Sequence, residues 1–277
     1  MIRRAFKNTP LYLWMAIFIV IPMLMIFYYA FFEQGPDGMH FTLKFFTETI
    51  TNVHYLGTIW YSIVLALIST FICLLMGYPL ASIISNMDEK KQKFMILLFI
   101  LPMWINFLIR TYALMTIFED NGIINSFLTL IHLPTVHFLQ NDGAVVLGMV
   151  FNFLPFMILP IYTSLTKIDK RIIEAAQDLG GNSFTVFRKI TFPLSIPGII
   201  SGITMVFMPA VTTFIIPQLL NGGGKWTIGS LIEDKFKGGY YDPNSGSALS
   251  IILMVLIFIS MSVLSKVDKD HEAGGLM

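Results

Sequence analysis

Glu174, Ala175, Ala176 and Gly180 fall in one charged segment, residues 166–193, TKIDKRIIEAAQDLGGNSFTVFRKITFP. Their types and spacing suit recognition of another surface rather than the making or breaking of bonds. Ile168, Ile172, Ala175, Ala176 and Leu179 recur at helical spacing. Asp169 is placed to cap the start of that helix, with the acidic Glu174 not far inside. Gly180 and Gly181 supply its stop, because glycine takes the left-handed conformation at a helix end. A second short helix is expected from about Ser183 to Arg188, capped by Asn182 or Ser183, with Pro193 opening the next element. Small side chains at Ala175 and Ala176 permit close approach, and Phe184 and Phe187 offer apolar knobs. Apolar groups on a water-facing helix pair need a cover. That cover is either a partner protein or a layer of lipid headgroups, and spacing alone leaves both open.

Other groups capable of chemistry are scattered. The five histidines contain no HxxxH pair, and the single cysteine, Cys73, lies in an apolar run. These exclude a disulfide framework and a cysteine-based metal cluster. Ser, His and Asp occur without a nucleophile motif, and no nucleotide-binding glycine loop is present. The chain of 277 residues is 55% hydrophobic and 13% charged, against about 45–50% and roughly 25% for a soluble domain. A water-facing surface needs charge and a lipid-facing one does not, so the composition points to an integral membrane protein. A net charge of +1 gives no global field for nucleic acid.

The elements that position these residues are apolar stretches. A spanning helix needs roughly 20 mostly apolar residues, and six stretches qualify: about 11–32, 57–84, 94–118, 143–165, 194–217 and 245–265. The expected fold is all-α, a polytopic membrane protein with residues 1–277 as one domain of six transmembrane helices. The first stretch is too long for a signal-peptide core and no small-residue cleavage site follows, so it reads as a retained span. The third contains Pro102, Asn106 and Arg110 and is expected to kink or end early; Arg110 is expected to pair with a carboxylate or lie at the outer interface. The fifth contains Pro197, Pro209 and Pro217. Gly77 and Pro79 in the second form a candidate flexing point, or simply pack helices closely. Ile123 to Ile131 reads as a short interfacial helix.

Lys and Arg are concentrated on one side: Arg3, Arg4 and Lys7, then Lys90, Lys91 and Lys93, the five basic residues of 166–193, and Lys266 and Lys269. The opposite loops carry Lys44, Lys225, Lys235 and Lys237. The positive-inside rule then puts both termini and the 166–193 loop in the cytoplasm of a multi-pass cell-membrane protein.

The pattern Glu174-Ala175-Ala176, Gly180, Ile190 and Pro193 is similar to the EAA loop of ABC-importer permeases, with Phe192 where that family usually has Leu. The resemblance decides between the two covers. It implies that the loop fits a groove on an ATP-hydrolysing subunit, with Glu174 and Gly180 central, and that the fold is that of a type I ABC importer permease. IDKRIIEAAQDLGG, LIRTYALM and PAVTTFIIPQLLNGGG further resemble the spermidine/putrescine importer permeases of the PotB-type branch. That branch implies a second, PotC-type permease, two copies of a cytoplasmic ATPase that binds ATP and Mg, and an outer polyamine-binding protein. It implies no cofactor and no catalytic site in this chain. Another cargo, such as iron(III), fits the same loop. A channel or secondary transporter would not need the loop, and a membrane enzyme lacks its polar cluster.

A polyamine path would combine carboxylates for ammonium groups with aromatic faces for cation–π contact. The candidates are Trp104, Tyr112, Glu119, Asp120, Asn152, Phe153 and Phe214. Each has an ordinary alternative: Trp104 and Tyr112 as interfacial anchors or packing groups, Glu119 and Asp120 as caps or receptor contacts, and Asn152 as a bond to a neighbouring helix.

Overall fold

The computed structural model describes residues 10–35, 38–239 and 241–274, with side chains to Lys266. Arg3, Arg4 and Lys7 lie outside the described residues, as does the side chain of Lys269. The elements are α1 (Pro10–Phe31), β1 (Phe32–Gly35), β2 (Gly38–Phe41), α2 (Lys44–Thr51), α3 (Val53–Ser85), α4 (Glu89–Trp104), α5 (Phe107–Phe118), α6 (Ile123–Leu130), α7 (Asp142–Thr166) and α8 (Lys170–Asp178). They continue with α9 (Ser183–Thr212), α10 (Ile215–Leu220), α11 (Ile228–Lys237) and α12 (Pro243–Gly274).

Five helices, α1, α3, α7, α9 and α12, are each long and apolar enough to cross a membrane. The sixth candidate is a broken pair, α4 against α5–α6, bent by 95°. The break has a local cause. Ile105 is extended, with ψ 137°, and Asn106 starts the next helix by accepting a 2.9 Å hydrogen bond from the Leu108 N–H. A side-chain cap of this kind satisfies an orphan donor of the first turn. The stretch expected as the third span is thus two helices meeting at a corner. β1 and β2 form a small antiparallel ribbon, pairing Phe32 with Phe41, which the all-α expectation did not include.

The core is the mutual packing of α3, α7 and α9. Leu65, Ala66, Cys73 and Ala81 of α3 meet Met149, Phe153, Met157, Ile158 and Ile161 of α7 and Ile199, Val206 and Ala210 of α9. Lipid tails are as apolar as leucine, so helices gain from approaching closely at small residues. At Gly198 on α9, a Cβ would lie 2.5 Å from Ser164 Cβ and 2.7 Å from the Pro160 carbonyl oxygen on α7. α1 stands apart against α12 and buries only Ala30 of its Ile21–Phe31 portion. Asn244 ties their ends together, donating to the carbonyls of Tyr29 at 2.9 Å and Phe32 at 2.7 Å.

Asp242 caps the start of α12 by accepting from the Ser245 N–H at 3.1 Å. Burial pushes its carboxyl up, but hydrogen bonds from Ser245 and the Lys235 ammonium 3.6 Å away outweigh this, and the group is held below its usual value of 3.8. A depressed folded value contributes stability above the unfolded value, which is lost as pH falls through the folded one. The thermal stability of the purified protein should therefore fall on acidification below the usual carboxylate range. Asp242→Asn, which keeps an acceptor but cannot titrate, should flatten that acid limb. An unchanged limb in the variant would remove Asp242 from the effect.

Candidate coupling loop and translocation surface

α8 begins where Asp169 accepts a 3.0 Å bond from the Arg171 N–H, the cap read from the sequence. It ends in a Schellman turn. Gly180 has φ +84°, its N–H donates to Gln177 O at 2.9 Å, and the Gly181 N–H donates to Ala176 O at 3.0 Å. This is the glycine-dependent stop that satisfies two orphan carbonyls. Asn182 then accepts from the Thr185 N–H at 2.8 Å, starting α9.

The second half of the loop differs from expectation. No separate helix ends near Arg188, and Pro193 does not open a new element. α9 runs from Ser183 to Thr212 without interruption, passing through one wider turn of π geometry at Phe187–Thr191, just before Pro193. Proline lacks an N–H and crowds the preceding turn, and a π bulge is a common way for a helix to absorb such a residue. At the other end α9 stops at Thr212, inside the expected fifth span, where Thr213 is extended with ψ 137°.

On the exposed side of this hairpin stand Glu174, Ala175, Leu179 and Phe184, with Leu179 90% and Phe184 70% exposed. Ala176 is half-buried. Phe187 is a different kind of residue from Phe184. Its ring packs edge-on against Tyr78 of α3, centroids 5.9 Å apart, and against Phe192 at 6.0 Å. Ile173 and Gln177 of α8, with Ile168 just before its cap, line a cavity of about 540 Å³ shared with Val186 and Phe187. Ile172 and Leu179, expected on one apolar stripe, remain exposed. Gln92, which the sequence reading did not single out, joins the neighbouring turn to α7. Its amide donates to Ser85 O and Met87 O and accepts from the Tyr162 hydroxyl at 2.9 Å.

The path candidates fall in three places. At the α4–α5 corner, Asn152 is fully buried and Phe153 nearly so. Arg110 Nε donates to Asn152 Oδ1 at 2.7 Å, and its Nη1 donates to Pro102 O at 3.1 Å. Phe107 stacks on Phe153, centroids 6.4 Å apart, with the guanidinium 5.9 Å from the Phe107 ring. Arg110 therefore pairs with an amide and a backbone carbonyl and not with a carboxylate, the first of the two placements expected of it. The Pro102 carbonyl, which also accepts the Ile105 N–H at 3.2 Å where α4 ends, takes the guanidinium as a second donor. Trp104, at the same corner, is 78% exposed. Tyr112, midway along α5, and Glu119, at its end, are exposed, and Asp120 bonds His137 Nδ1 at 2.7 Å. Phe214 sits half-buried at the α9–α10 break.

Residues 74–269 match the family described as binding-protein-dependent transport system inner membrane component. A Haemophilus influenzae protein named spermidine/putrescine transport system permease protein PotB is 36% identical over 264 residues, covering 92% of this chain and 91% of that one. Its Escherichia coli (strain K12) namesake is 34% identical over 256 residues, covering 90% and 92%. Among solved structures, a bacterial alginate ABC transporter in complex with its alginate-bound periplasmic protein contains a chain of the same fold. The TM-score is 0.75 at 18% identity, with 93% of this chain and 91% of that chain covered. With the helices and the fold agreeing with a profile that spans well over half its length, this multi-pass membrane chain belongs to the binding-protein-dependent transport system inner membrane component family.

Proposed function

We propose that the chain is a permease subunit of an ATP-driven importer and forms part of the translocation path for polyamines of the spermidine and putrescine class. The observation that carries the transport role is the exposed α8 hairpin, with Glu174 and Leu179 outward and Gly180 at the Schellman turn, at the spacing of an ATPase-docking loop. The similarity to relatives named as spermidine/putrescine permeases, over nine-tenths of the chain, supports the cargo. On this reading the chain does no covalent chemistry. A second, PotC-type permease completes the path, two copies of an ATPase bind ATP and Mg, and a polyamine-binding protein delivers cargo on the outer side. Both termini and the loop are cytoplasmic.

The coupling route follows from α9. A helix of 30 residues is about 45 Å long and carries the second half of the loop and the membrane segment in one piece. Movement of a docked ATPase then displaces the membrane portion directly. The Phe187–Tyr78 contact takes the same movement to α3.

The test is uptake of radiolabelled spermidine and putrescine by the complex that co-purifies with this chain, reconstituted in vesicles. Uptake that depends on ATP and on the binding protein is the expected result. Trp104→Ala and Glu119→Gln should each change uptake kinetics, by about tenfold for a lost cation contact of 1.4 kcal/mol, without loss of assembly. Wild-type kinetics in either variant would take that residue out of the path.

A further inference from the structure

At the end of α7 remote from the coupling loop, about 37 Å away along a helix of 25 residues, three side chains meet. Tyr61 of α3 donates its hydroxyl to Asp142 Oδ1 at 2.6 Å. Lys225 Nζ lies 3.4 Å from Asp142 Oδ2 and 5.1 Å from the centre of the Tyr61 ring. Asp142 is in the first turn of α7, where the helix dipole favours a carboxylate. Together they hold a primary alkylammonium between a carboxylate and an aromatic face. The alkylammonium happens to be tethered to the chain.

The tether is loose. The Lys225 side chain is 69% exposed and Asp142 49%, and exposed ion pairs of this kind contribute little to stability. Lys225 follows Gly222 and Gly223, with φ +57° and +81°, in the loop after α10. Beside it opens a pocket of about 460 Å³ lined by His54, Tyr55, Tyr61, Trp226 and Lys225, with a second carboxylate, Asp234, on its wall.

We propose that this pocket is a landing site for a linear polyamine, whose terminal ammonium takes the place of Lys225 on Asp142 and Tyr61. The aromatic side chains cover the methylene spacer and Asp234 receives a further ammonium. Lys225 acts as a surrogate cation that offsets the charge of Asp142 until cargo arrives. The proposal rests on the polyamine reading above and adds to it the residues that first receive the cargo. None of the seven path candidates chosen from the sequence belongs to it.

The test uses the full complex in vesicles, with receptor-stimulated ATP hydrolysis and polyamine uptake measured together over a range of cargo-loaded binding protein. Asp142→Asn should lower polyamine moved per ATP hydrolysed by about tenfold, with receptor affinity and stimulated hydrolysis kept. Lys225→Met should hold or raise that ratio, because it removes only the competitor. A bridge with a merely structural role would make both variants fall together, and that result overturns the proposal. So does an unchanged ratio in Asp142→Asn, or a change confined to receptor affinity, which would assign the cluster to docking. Should Asp142→Asn fail to assemble, Tyr61→Leu replaces it, removing the ring and leaving the carboxylate. If the wild-type complex moves no polyamine, the cargo reading itself fails and the landing site with it. If the wild type does and the variants fall together, only the landing site fails.

Discussion

In a Gly180→Trp variant the complex should still insert and hydrolyse ATP, while uptake of cargo falls by at least about tenfold, the effect of 1.4 kcal/mol or more lost from the docking that links the two. Two effects combine at this residue. At φ +84° any L side chain is strained, by roughly 1–2 kcal/mol, and the Schellman bonds from Gly180 and Gly181 hold the loop's corner. No atom beyond its chain neighbours lies within 4 Å of a Cβ built there, and Gly180 is exposed, so the indole has open space to leave the backbone and adds bulk on the exposed hairpin. Gly180→Ala separates the two effects: it carries the strain without the bulk and should keep most of the uptake. Glu174→Arg, which reverses the charge on the same exposed face without touching the turn, should uncouple in the same way as the tryptophan. Wild-type uptake by Gly180→Trp would overturn the docking assignment.

Gly198→Leu should act earlier, on the folded protein. A leucine Cβ would sit 2.5 Å from Ser164 Cβ, 2.7 Å from Pro160 O and 3.1 Å from Ile161 Cα. Two of these three neighbours are backbone and cannot swing aside. Overpacking a tight site typically costs about 1–3 kcal/mol, and here relief requires α7 and α9 to separate along their shared face. The expected result is loss of the monodisperse purified protein, or a melting temperature lowered by several degrees. Gly198→Ala should be intermediate. Unaltered melting in Gly198→Leu would mean that α7 and α9 do not approach at this point.

The two predictions differ in how far the sequence alone could have led to them. The Gly180 turn was legible, because its signals are local: Asp169 starts a helix, two glycines end it and Asn182 starts another. The apolar runs were legible for a similar reason, since lipid demands some twenty apolar residues in succession. Pro193 misled. It read as the first residue of a helix, a position proline favours, and the π turn that lets the helix pass through it leaves no mark in the sequence. Pro102, Asn106 and Arg110 announced a disturbance but not a 95° corner. The partner of Arg110 was out of reach altogether, because Asn152 is 42 residues away and becomes a neighbour only through packing. Tyr61, Asp142 and Lys225 lie further apart still, in segments whose composition suggests nothing in common. Gly198 drew no notice, since a glycine in an apolar helix says nothing of the neighbour it admits.

The unbroken run of α9 has a practical consequence for anyone exchanging parts between permeases. By its sequence the natural graft point for a foreign docking loop is Pro193, where the charged stretch gives way to the apolar one. A splice there would cut through the middle of a rod, two residues past its one irregular turn, and the grafted segment would arrive with its helical phase set by another protein. The hybrid would present its docking face rotated about the axis. The joints that the architecture offers are the bend at Gly180–Asn182 and the short stretch before Asp169, and a graft confined between them would carry α8 alone.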